Sequence, residues 1–93
     1  MDLVIVAPCG TLCQTTIEKI SLPGEMGAFT VLRGHAPIIS RLTSGRIVYD
    51  AAGRQESVEI AGGFVRVLDD TVEVCAELPE KAQSETEDAV HGK

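Results

Sequence analysis

Cys9, Cys13, Cys75 and His35 could between them supply four soft ligands for a zinc ion. Their spacing argues against it. Cys9 and Cys13 do not have the two-residue knuckle of most structural zinc sites, and Pro8 and Gly10 put Cys9 in a turn with Cys13 in the strand that follows. No export signal is expected at Met1-Asp2-Leu3-Val4-Ile5-Val6, because no basic segment precedes this apolar run and Pro8 follows it. The thiols are therefore expected to be free, and buried or half-buried. A catalytic role for His35 needs a nucleophile and an orienting acid, and nothing in the sequence singles out such a pair. Gly62-Gly63 could approach a phosphate, but no lysine or helix start follows. What remains is contact chemistry. His35 is expected to bond a nearby backbone carbonyl and hold its turn. Glu25 and Met26 stand together at a turn tip, where a carboxylate beside a soft apolar side chain suits a protein partner.

The elements that must position these residues are short strands. Pro23, Gly24 and Gly27 form one tight turn and Gly34 to Pro37 a second, with a short apolar strand between them. Gly24 and Gly27 are both expected to supply positive φ. Apolar runs predict strands over residues 3–6, 11–16, 18–22, 28–32, 38–42, 46–50, 55–60, 64–68 and 71–76. Ala51-Ala52-Gly53-Arg54 and Asp69-Asp70 predict hairpin turns. Both faces of residues 3–6 are apolar, which predicts a central strand covered on both sides. Gly62-Gly63 predicts a bulge or close packing against another strand. Short strands with no helical period predict an all-β sandwich of two packed, mostly antiparallel sheets.

Ninety-three residues make one domain. The hydrophobic fraction is 44% and the aromatic fraction only 3%, so the core must be built from Val, Ile, Leu and Ala. A net charge of -6 makes a phosphate backbone or an anionic membrane surface a poor partner and a basic protein surface a good one. No apolar run approaches the roughly 20 residues of a membrane span. Composition turns polar after Leu78, so residues 1–78 are expected to form the domain and residues 79–93 a solvated acidic tail, with a weak capping box at Ser84 and Glu87.

Leu22-Pro23-Gly24, Gly27, Phe29, Gly34-His35-Ala36-Pro37 and, later, Ala61-Gly62-Gly63-Phe64 resemble the pattern of the epsilon (delta in mitochondria) subunit of rotary F-type ATP synthases, in its amino-terminal β-sandwich. The resemblance covers residues 1–78. It implies a non-catalytic rotor part at the foot of the central stalk, clamped to gamma and resting on the c-ring of a proton-translocating synthase. It implies that Glu25, Met26, Gly27 and Ala28 face the c-ring loops. Gly34, His35, Ala36, Pro37 and Ser40 would lie near both ring and gamma. No cofactor and no metal are implied, and the location would be peripheral, on the cytoplasmic face of a bacterial inner membrane. The family usually continues into a carboxy-terminal helical hairpin that restrains hydrolysis and in some members binds ATP. A chain ending at Lys93 is expected to lack it, as a natural short form or a truncation, and to bind no nucleotide. Two alternatives stand beside this one. A free-standing binding module, for sugars for example, would want aromatic platforms, and only Phe29, Tyr49 and Phe64 are available. A cysteine- or metal-dependent enzyme would be separated by thiol titration and metal assay.

Overall fold

A computed structural model describes residues 1–79; the expected tail, from residue 80 onward, and its capping box lie outside the described residues. Nine strands follow one another: β1 (Asp2–Ala7), β2 (Gly10–Thr16), β3 (Lys19–Leu22), β4 (Phe29–Leu32), β5 (Ile38–Leu42), β6 (Gly45–Ala51), β7 (Arg54–Ile60), β8 (Gly62–Leu68) and β9 (Thr71–Glu77). They form two sheets, a five-stranded one in the order β2-β1-β9-β8-β5 and a four-stranded one in the order β4-β3-β6-β7. The expected all-β sandwich is the observed fold. All pairings are antiparallel except that of β1 with β9, whose register runs from Asp2 opposite Thr71 to Val6 opposite Cys75.

Alternation builds the core. Leu3 and Ile5 of β1, Val65 and Val67 of β8, and Val72 and Val74 of β9 are buried from one sheet. Ile20 and Leu22 of β3, Val31 of β4, Ile47 of β6 and Ile60 of β7 meet them from the other. β-Branched side chains fit a pleated, half-buried surface, and burying each contributes about 1.5–3 kcal/mol. Tyr49 is the one aromatic residue among the buried set. The two-residue turns fall where expected. Ala52 and Gly53 have φ of 52° and 77°, Asp69 and Asp70 of 51° and 62°, the left-handed pair that matches the twist of a hairpin.

Three expectations need correction. β1 lies inside its sheet, between β2 and β9, but Val4 and Val6 on its outer face are only half-buried, so one face is in the core and the other is not. Gly24 does not have positive φ; Gly27 does, at 129°. Gly62 and Gly63 belong to β8 rather than preceding it. The irregularity in this sheet is instead between Ile5 and Val6, where Leu12 is the extra residue on β2. Gly63 marks a close approach: a Cβ there would lie 2.1 Å from the carbonyl oxygen of Cys75.

Candidate functional site

The first turn, residues 23–28, is glycine-bearing for two different reasons. At Gly24 a Cβ would meet the carbonyl oxygen of Gly27 at 2.6 Å and the Phe29 ring at 2.8 Å, so the turn closes only without a side chain. Gly27 donates its N–H to that same Gly24, at 3.0 Å, from a backbone angle that L side chains rarely adopt. The turn is fastened to the other sheet at β5. Glu25 donates its N–H to Arg41 (3.0 Å), Thr43 donates to Pro23 (2.8 Å), and Gly24 and Leu42 form an isolated bridge. With its backbone so held, the tip projects: the Glu25 side chain is exposed, and Met26 is 97% exposed.

The second loop, residues 33–37, carries the chain from β4 across to β5. Gly34 has φ of 80° and open space around its Cα, so it is glycine for conformation alone. His35 donates its N–H to Leu32 (3.1 Å), and its Nδ1–H donates to the Ala36 carbonyl at 2.8 Å. The ring therefore holds its own turn, as expected. The Gly34 N–H goes further afield, to the Asp70 carboxylate at 3.2 Å. His35, Ala36 and Pro37 are exposed.

The two loops do not form one patch. β4 leaves the first and enters the second, so they sit at opposite ends of a four-residue strand, about 10 Å apart along it. What joins them is β5, one of the two edge strands of its sheet, which begins just after Pro37 and ends at the Gly24 bridge. The expected contact residues therefore lie along one border of the sandwich. Within β5 the exposed apolar side chain is Ile39, at 79%, whereas Ser40 is half-buried and its hydroxyl bonds the Arg41 carbonyl at 3.2 Å. An open groove of about 340 Å³ runs beside it, lined by Pro37, Ile38, Ile39, Arg66, Val67 and Leu68. Arg41 lies over the Phe64 ring, 5.3 Å from its centroid, on the same outer face. That Ile39 and Phe64 share one outer face, and that Asp70 reaches Gly34, was not legible in the sequence. Alternation at Ile38-Ile39 and at Phe64-Val65 says only that one side chain of each pair must point out.

The candidate metal ligands do not converge. Among the described residues no three His, Cys, Asp or Glu side chains are grouped to hold an ion. All three cysteines are free; Cys9 and Cys75 are exposed, against the expectation of buried thiols, and Cys13 is half-buried. The Cys13 thiol and the Tyr49 hydroxyl lie 3.3 Å apart across the sandwich. That hydrogen bond, with burial second, pushes the Tyr49 phenol up to about 12.

Residues 1–82 match the family described as "ATP synthase, Delta/Epsilon chain, beta-sandwich domain". An ATP synthase epsilon chain of Solibacter usitatus is 31% identical over 83 residues, and one of Nitratidesulfovibrio vulgaris is 36% identical over the same length; each match covers 89% of this chain and 62% of the relative. The chain thus spans about three fifths of the length of these curated relatives. Its fold is shared with a chain of the Euglena gracilis mitochondrial ATP synthase OSCP/F1/c-ring structure, with a TM-score of 0.74 at 20% identity over 98% of this chain and 63% of that one. A chain from the Tetrahymena thermophila mitochondrial ATP synthase central stalk and c-ring gives a TM-score of 0.71 at 14% identity, over 83% of this chain and 63% of that one. A border of paired glycine turns on a two-sheet sandwich, matched over nearly the whole chain, has one conclusion: the chain belongs to the family of ATP synthase delta/epsilon chain β-sandwich domains.

Proposed function

We propose that this chain is a non-catalytic rotor subunit of the central stalk of a proton-translocating ATP synthase, coupling c-ring rotation to ATP synthesis. Its border of first turn, β5 and second loop is the contact with the c-ring and gamma. Glu25, Met26, Gly27 and Ala28 face the ring loops; Gly34, His35, Ala36, Pro37 and Ser40 lie near ring and gamma together. The observation that carries this reading is the pair of exposed apolar side chains, Met26 at 97% and Ile39 at 79%, on one border whose backbone is rigidly tied. Exposed apolar side chains gathered along a held backbone are what a protein partner covers. The epsilon-chain relatives and the central-stalk structures that share the fold support the same assignment. The net charge of -6 suits it too, because cytoplasmic loops of membrane subunits tend to be basic. The chain would then sit peripherally on the cytoplasmic face of the membrane. Residues 1–78 carry the role.

The test is co-purification with gamma and the c-ring of the same synthase, together with ATP synthesis in reconstituted vesicles. Glu25→Lys is expected to weaken docking chiefly at low salt, since a rim charge acts mostly on association rate. Gly34→Val is expected to strain the second loop by about 1–3 kcal/mol. The double variant should lose partners and coupling while its circular dichroism stays that of the parent. If assembly and coupling are unchanged in a folded double variant, this border is not the interface. A chain stopped at Pro79 should assemble as the parent does. Calorimetry with Mg-ATP should give no heat above dilution.

A further inference from the structure

The second loop has one hydrogen bond to a distant part of the chain among the described residues. The bonds of His35 go to Leu32 and Ala36, its own neighbours. Only the Gly34 N–H leaves the loop, and it ends on Asp70 Oδ1, 36 positions along the sequence. Asp70 occupies the second position of the turn between β8 and β9 at φ 62°, where the other two-residue hairpin has Gly53 at φ 77°. Glycine adopts this backbone freely and aspartate does so at a steric cost, so the turn alone does not ask for a carboxylate. The carboxylate is occupied from two directions: Oδ1 by Gly34, and Oδ2 by the amino nitrogen of Met1 at 3.6 Å. Its backbone carbonyl accepts the Asp2 N–H at 3.0 Å, which pins the turn to β1, inside the sheet. One residue thus connects the second loop to Met1 and β1.

We propose that Asp70 is a positioning residue: its carboxylate, by holding the Gly34 amide, sets the conformation in which His35, Ala36 and Pro37 meet the partner. The proposal rests on the assignment of this loop as a contact under the proposed function. Asp70 itself need not touch the partner. A charged acceptor on a backbone N–H is a stronger tie than a neutral one. The Gly34 amide is exposed, and without the tie water would satisfy it and the loop would sample more conformations.

The informative variant is Asp70→Gly, because it relieves the turn while deleting the acceptor; it also removes the partner of the Met1 amino group, so circular dichroism checks that the variant is folded. Asp70→Asn keeps an acceptor at Oδ1, and Asp69→Gly relieves the neighbouring position without touching the tie. Two measurements are made on the full chain: amide exchange and chemical shift of Gly34 and His35 by NMR, and retention by gamma and the c-ring. In Asp70→Gly, Gly34 exchange should rise about three- to tenfold, the value of one hydrogen bond. Both amides should shift, the circular dichroism should stay that of the parent, and partner retention should fall by a similar factor. Asn should restore most of both, and Asp69→Gly should change neither. An unchanged Gly34 amide in Asp70→Gly overturns the proposal. A changed Gly34 with full partner retention upholds the tie and refutes instead the assignment of this loop as a contact.

Discussion

The two sheets bury equivalent inner faces and present very different outer ones. On the four-stranded sheet the outward side chains are polar and largely occupied with each other. Lys19 and Asp50 pair at 3.8 Å, the Ser21 and Thr30 hydroxyls meet at 3.0 Å, and Arg46 stands opposite Glu59; the apolar exceptions are Leu32, exposed at the end of β4, and Val48, half-buried within β6. On the five-stranded sheet Phe64, Leu68 and Ile39 are exposed, and Val4 and Val6 beside them are half-buried. Its one close ion pair, Arg66 with Glu73 at 2.6 Å, sits among apolar neighbours. A sandwich needs only its inner faces, so the difference between the outer ones is not a demand of folding. Under the proposed function it is the side on which a partner has something to gain, and that side carries β5 and the groove.

The strongest challenge to this comparison tests the equivalence of the inner faces. Ile5→Ala in one sheet and Ile20→Ala in the other should each cost about 2–5 kcal/mol in urea unfolding. A loss under about 1 kcal/mol at either would mean that the two sheets do not share one core. Gly63→Ala should cost about 1–3 kcal/mol, because φ is 145° and the added carbon collides with the Cys75 carbonyl. Next comes the contrast itself. Phe64→Ser with Ile39→Ser should lower retention by gamma and the c-ring about tenfold, near 1.4 kcal/mol, with unfolding little affected. Ser57→Ala with Glu59→Gln, on the opposite face, should leave retention alone. Equal losses from both faces would erase the distinction.

A smaller effect reports on the space between the sheets. The single tyrosine gives a clean ultraviolet titration in a chain without tryptophan. The Tyr49 phenol, raised from 10 to about 12, should ionise near pH 12 folded and near pH 10 in urea. A raised folded value means that the neutral phenol is favoured. Its contribution to stability is therefore full below pH 10 and lost as the pH rises towards 12. Cys13→Ala should bring the folded value down, since the thiol hydrogen bond is the largest cause. The least effect is expected at Lys19→Ala, within about 0.5 kcal/mol, because the pair is long, at 3.8 Å, and its lysine is exposed.

Most of the fold was legible because alternation and glycine turns are local. Val65 and Val67 against Phe64 and Arg66 declare a strand with two unlike faces, and Asp69-Asp70 declares its end. The start of that strand was misread because glycine ordinarily interrupts strands, whereas Gly62 and Gly63 are in it and at Gly63 β9 comes too close for a side chain. The same limit hid part of the candidate site. The glycine loops were visible, but their placement at opposite ends of β4 depends on which strands pair. That Asp70 reaches Gly34 is a fact of two connections meeting at one end of the sandwich, and no pattern within either segment carries it. The apolar outer face was equally hidden: Phe64, Leu68 and Ile39 look like stray outward residues until β5 is known to lie beside β8.

The parallel pairing of β1 with β9 has a consequence for biosynthesis. Among the described strands, the first made must wait for the last. Until Thr71 and the residues after it leave the ribosome, the five-stranded sheet exists only as β2 with β1 and, separately, β8 with β5, because β9 is the strand between them. Two-stranded pieces are marginal in water, and each presents an open edge to other chains. Non-local closure of this kind is slow compared with helix formation. The polypeptide thus acquires its sheet in one late event, when Glu77 has emerged, and a translation pause shortly before that point is when it is most exposed to aggregation.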